Sequence, residues 1–221
     1  MIPLRDPYPT RKRPIVTYSL LLANIVVFFF ELLAKDLEAF FGQYALIGAK
    51  IDFLVPSSLF PFISFQFLHG GFIHLLSNMW FLKIFGDNVE DKMGRIKFLL
   101  FYLFCGVISG FTQYIFSINS EIPMIGASGA VAGVLGAYFV FFPHHVIETL
   151  IPGPFFWHRV NLPASIMLLY WFIIQLVSGV TSLPTASLGG VAFFAHAGGF
   201  IAGWLIAKKL KTTQGVNRIT P

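Results

Sequence analysis

Six stretches of this 221-residue chain are apolar for long enough to cross a bilayer, and that property restricts the fold more than any other. A spanning helix needs about 20 apolar residues, and the qualifying windows are 15–34, 70–86, 98–118, 126–143, 164–180 and 190–207. In lipid, backbone N–H and C=O groups must find partners within their own segment or in a closed barrel, so such windows predict helices. The expectation is an all-α polytopic membrane protein, a bundle of six transmembrane helices forming one domain over residues 1–221. Composition agrees, with 56% apolar residues, 11% charged residues, 27 Phe and a mean hydropathy of +0.76. The net charge of +5 is spread without a long basic tract, which argues against a nucleic-acid partner. Cys105, the single cysteine, has no partner for an intrachain disulfide.

Lys and Arg set the orientation. Thirteen of the fifteen fall in the N-terminal arm, around GDNVEDKMGRIK, at Arg159 and in the C-terminal tail; only Lys35 and Lys50 fall on the other side. Both termini are therefore expected in the cytoplasm, with residues 35–69, 119–125 and 181–189 facing outward. The basic arm precedes an apolar run about twice the length of a secretory h-region, so that run reads as a signal anchor. The outward loop 35–69 is apolar enough to lie in the outer interface. The cytoplasmic connection FFPHHVIETLIPGPFFWHRVNLP reads as an amphipathic connector.

With that topology, spans two, four and six all start at the outer face. Their chemistry-bearing polar side chains are His74 and Asn78, Ser128, and His196. At 1.5 Å per residue all lie within about 10 Å of their helix starts, so they share one layer. Polar groups in a span are expensive and tend to face the bundle interior. Taken singly, each has a bland reading: GASGAVAG as a packing face with an incidental serine, His196 as an interhelical hydrogen bond, His74 with Asn78 as polar glue. Their coincidence in depth on three co-oriented helices favours a site. Gly129, Gly133 and Gly136 in span four, with Gly199 and Gly203 on the His196 face of span six, would allow close approach and bring Ser128 to His196.

A serine hydroxyl becomes a useful nucleophile when a neighbouring base takes its proton, and a neutral imidazole can do so. Spans two, four and six contain no Asp or Glu, so a Ser–His dyad is the economical reading rather than a triad. His74, Asn78 and the Ser128 amide, at the mouth of its helix, are suitable donors to a developing oxyanion. GASGA lacks the G-x-S-x-G spacing of an α/β-hydrolase elbow, and no H-E-x-x-H occurs. Without carboxylate or thiolate near His69, His74 and His196, no metal is expected, and no cofactor motif is present.

HGGFIHLLSN with His69, His74 and Asn78, GASGAVAG with Ser128, and AHAGGFIAG with His196, in that order on alternate spans, resemble the rhomboid intramembrane serine proteases. The likeness covers residues 15–207. It implies a compact helical bundle that cleaves transmembrane protein substrates near their outer ends; the shortness of the chain and the lack of a transit segment lead to the expectation of a bacterial plasma membrane. Ser128 would be the nucleophile, His196 the general base, and His74 and Asn78 the oxyanion-hole side chains. His69, Gly126, Gly129, Gly199 and Gly203 would support them. The resemblance further links residues 164–189 to substrate entry. Two departures stand out: Ala132 occupies a position where many members place Phe or Tyr beneath the histidine, and residues 35–69 lack the family's Trp-Arg pair. The competing class is a non-catalytic rhomboid-like protein that binds single-span clients; a transporter is disfavoured because no charged relay is evident.

Overall fold

The structure, a computed structural model, describes residues 1–153, 156–182 and 192–216. Along the chain come β1 (Ile2–Arg5), α1 (Ile15–Leu33), α2 (Leu37–Tyr44), α3 (Pro61–Ser64), α4 (Phe72–Met93), α5 (Arg95–Phe116) and α6 (Ser128–Phe141). There follow β2 (Val146–Pro152), β3 (Trp157–Pro163), α7 (Ala164–Ser182) and α8 (Phe193–Val216). Each of the six apolar windows thus contains a helix, although residues 190 and 191 of the last lie outside the described residues. Among the described residues three helices, Ile15–Leu33, Arg95–Phe116 and Ala164–Thr181, are long and apolar enough to cross a membrane, or four if the bent pair Pro56–Phe67 and Phe72–Met93 makes one span; α6 is apolar but shorter. The turns of Pro56–Phe67 meet α4 at a bend of 81°.

Helix α6 forms the centre. Every residue from Gly129 to Tyr138 is buried, against α4, α5, α7 and α8. Only small residues permit such enclosure at backbone distance. A Cβ on Gly199 would overlap Gly129 O, and one on Gly203 would overlap Gly133 O, so the α6 and α8 backbones touch through the glycines that the sequence singles out. On the α5 side, a Cβ on Gly129 would collide with Ser109, and one on Gly133 with Cys105.

Helix α4 runs seven residues past the apolar window that ends at 86, because its polar extension has a structural task. The Glu90 carboxylate accepts from Val16 N (3.0 Å), Thr17 N (2.7 Å) and Thr17 Oγ1 (2.8 Å). These amides belong to the first turn of α1, which has no side-chain cap of its own, so Glu90 caps it from a neighbouring helix.

The all-α expectation needs correction. Residues 143–163 are not a plain amphipathic connector: β2 and β3 form an antiparallel hairpin, and β1, from the N-terminal arm, pairs with β2 to complete a three-stranded sheet. Alternation explains it, since Ile147 and Thr149 are buried between exposed or half-buried neighbours, and Pro152–Gly153 supplies a turn signal. The arm is anchored further by Asp6, whose Oδ2 accepts from Asn88 Nδ2 (2.8 Å) and from the Tyr138 hydroxyl at the far end of α6.

The segment 35–69 is structured throughout its contact with the bundle. Asp36 caps α2 through Ala39 N (2.9 Å), and Ala45, Leu46, Ile47, Phe62, Phe65 and Leu68 are buried. Leu46 and Met124 exchange backbone hydrogen bonds (3.1 and 2.9 Å), and Gly126 N donates to Phe65 O (2.9 Å). The loop thereby fixes the entry into α6.

Candidate active site

Ser128 is the first residue of α6, and its position depends on Gly126. That glycine adopts φ +129°, a conformation L side chains rarely take, and a Cβ there would lie 2.8 Å from His74 Nε2. The first ladder bond of α6 runs from Val131 N to Ala127 O (2.9 Å), so the Ser128 amide precedes the ladder at the positive end of the helix.

His196, in the first turn of α8, places Nε2 2.7 Å from Ser128 Oγ. Its other ring nitrogen, Nδ1, lies 2.7 Å from Gln175 Oε1 on α7. An amide oxygen can only accept, so the proton sits on Nδ1 and the Nε2 lone pair faces the serine hydroxyl. His74, in the first turn of α4, has the opposite arrangement. Its Nδ1 accepts from Gly70 N (3.3 Å), which leaves the proton on Nε2, the atom beside Gly126. Thus one imidazole approaches the serine as an acceptor while the other presents a donor to the mouth of the same helix.

Asn78 lies one turn below His74 and is buried; one hydrogen of its amide goes to His74 O (3.0 Å), and Nδ2 retains a second. His69 holds the loop before α4. Its backbone N–H donates to both carboxylate oxygens of Glu31 (3.0 and 3.3 Å), its Nδ1 donates to Phe67 O (3.2 Å), and its ring meets His74 edge-on at 5.1 Å. Among the described residues no group of three or more His, Cys, Asp or Glu could hold a metal ion.

Four contributors escaped the sequence reading. Gln175 orients His196, and Trp171, one turn earlier on α7, sets its ring 6.0 Å from the imidazole. Ala132 is itself buried. Glu31 anchors the His69 loop from α1, and Gln113 Oε1 accepts from Ala195 N (3.3 Å) at the start of α8. A signal existed for three of them: each is an isolated amide or carboxylate in an apolar run, a placement that demands a partner.

The Rhomboid domain family model matches residues 56–212. The chain belongs to the rhomboid family. RHOMBOID-like protein 4 of Arabidopsis thaliana is 36% identical over 147 residues, 65% of this chain and 32% of that protein. Rhomboid protease AarA of Providencia stuartii is 29% identical over 212 residues, 87% of this chain and 71% of its own. Putative rhomboid protease YdcA of Bacillus subtilis is 30% identical over 128 residues, 58% of this chain and 62% of that one. The chain thus spans from 32% to 71% of these relatives' lengths. A rhomboid domain with apolar helices of this length makes it an integral, multi-pass membrane protein.

Proposed function

We propose that the chain is an intramembrane serine endopeptidase that cleaves transmembrane proteins near their outer ends through the Ser128–His196 dyad. The observation that carries the reading is the 2.7 Å approach of His196 Nε2 to Ser128 Oγ, with the Nε2 lone pair available. Ser128 Oγ attacks the scissile carbonyl carbon as its proton passes to Nε2. The carbonyl oxygen then carries the negative charge, facing the Ser128 amide, His74 Nε2–H and the second Asn78 N–H. Collapse breaks the C–N bond, and His196 returns the proton to the leaving amine. Water, deprotonated by the same Nε2, hydrolyses the acyl ester and restores the serine. One oxyanion donor is commonly worth about 3–4 kcal/mol in such a low-dielectric site.

The proposal includes six spans over one rhomboid domain, residues 1–221, with both termini in the cytoplasm of a plasma membrane. The thirteen-to-two partition of Lys and Arg supports that orientation, and the site at the N-terminal ends of α4, α6 and α8 then faces outward. No cofactor or metal enters the chemistry. A fluorophosphonate probe on detergent-solubilised protein tests the reading. Covalent labelling of wild type and none of Ser128→Ala supports an enzyme. A wild-type protein that binds single-span peptides yet never labels would identify a client-binding rhomboid-like protein instead.

A further inference from the structure

Helix α7 carries one amide side chain among its nineteen residues and no charged one, and that amide points at the candidate base. Gln175 and Trp171 are spaced i, i+4 and so share a face of α7, the face that meets α8. An amide at membrane depth is costly without a hydrogen bond, and Gln175 finds one at His196 Nδ1. The imidazole is therefore held on several sides: Gln175 at Nδ1, Ser128 at Nε2, Trp171 along the ring at 35° and Phe193 edge-on at 6.5 Å.

We propose that Gln175 is a positioning residue for His196, accepting the hydrogen bond from Nδ1–H so that Nε2 stays unprotonated toward Ser128, with Trp171 packed along the imidazole ring. This rests on the reading of His196 as general base. The two tautomers of a neutral imidazole are close in energy, so the partner of one nitrogen decides which form faces the substrate. The wrong tautomer would put a hydrogen between Nε2 and Ser128 Oγ, where no proton could be accepted. In Ser–His–Asp enzymes a carboxylate performs this orientation. Here α6, α7 and α8 contain no Asp or Glu, so a neutral acceptor does so without adding charge to the site.

Gln175→Leu removes the acceptor while preserving much of the volume, and Gln175→Glu retains an acceptor oxygen in either protonation state. With a single-span substrate in detergent, Gln175→Leu is expected to lower kcat by roughly 10- to 100-fold, the usual effect of losing an orienting partner, with KM within about twofold. Gln175→Glu is expected to recover most of the loss. A purely structural role would not give this rescue and would move the melting temperature in parallel with kcat. Independently of the variants, the ¹⁵N shifts of His196 in the wild type should report a protonated Nδ1 and a bare Nε2. Wild-type kcat in Gln175→Leu, equal impairment in Gln175→Glu, or a protonated Nε2 in the wild type would each overturn the proposal. With Ser128→Ala inactive, those results reject the role of Gln175 alone. Full cleavage by Ser128→Ala would instead reject the dyad and the positioning role with it.

Discussion

Ser128 is approached by two imidazoles whose neighbours select opposite tautomers, and the expected effects of substitution and pH follow from that difference. His196 must be neutral to accept the serine proton, so cleavage should rise with pH as the His196 imidazolium deprotonates and level off above that titration. A kcat/KM that falls as pH rises through that titration would count against the role of base. His74 acts as a donor, and His74→Ala should reduce kcat by about 10²–10³-fold, as loss of one oxyanion donor does, while binding of a substrate peptide persists. Gly126→Ala should impair cleavage, because alanine is strained at φ +129° and its Cβ would press on His74 Nε2. At this scale the sequence nominated Ser128, His196, His74 and Asn78 as candidates because each is a costly polar group near the start of its span, and the structure brings Ser128 and His196 within hydrogen-bond reach. Gln175 was not singled out, since its meaning depends on which face of α7 meets α8, and that is a product of packing.

Among the elements, the α6–α8 pair is where small residues matter most. Gly203→Val should force the backbones apart at Gly133 O and lower stability by about 1–3 kcal/mol or more, as overpacking does, readable in denaturant titration of the detergent-solubilised protein. The glycine spacing announced this contact because offsets of three and seven return to one helix face. The β1–β2–β3 sheet was missed for a physical reason as well. Its hairpin is only half-buried, so its alternation is weak, and β1 joins β2 across more than 140 residues of sequence, a pairing that local periodicity does not encode. Asp6→Ala tests the anchoring of that arm. Losing the acceptor for Asn88 and Tyr138 should cost about 1–3 kcal/mol without altering the pH dependence of cleavage, since Asp6 lies at the opposite end of α6 from Ser128.

For the whole molecule, charge asymmetry and helix polarity together support the proposed outward placing of the candidate site: the N-terminal ends of α4, α6 and α8 converge, and Lys211, from the basic C-terminal tail, donates through Nζ to Val140 O (2.9 Å) near the α6 C-terminus. The proposed topology predicts that Asp52→Cys reacts with an impermeant maleimide from outside intact cells and Lys209→Cys does not, with the buried Cys105 silent in both; the reverse pattern would invert the orientation. A helix in each of the six apolar windows, and their order, was legible, whereas α2, α3 and the extension of α4 to Glu90 were not, because the polar last turns of α4 find their partner, the α1 N-terminus, only in the packed bundle. The central claim is that one serine and one histidine, brought together by glycine-lined helices, cleave peptide bonds in the membrane. The most direct measurement is cleavage of a model single-span substrate by purified wild type and Ser128→Ala. The account predicts two discrete fragments from the wild type and none from the variant, and equal cleavage by both would contradict it.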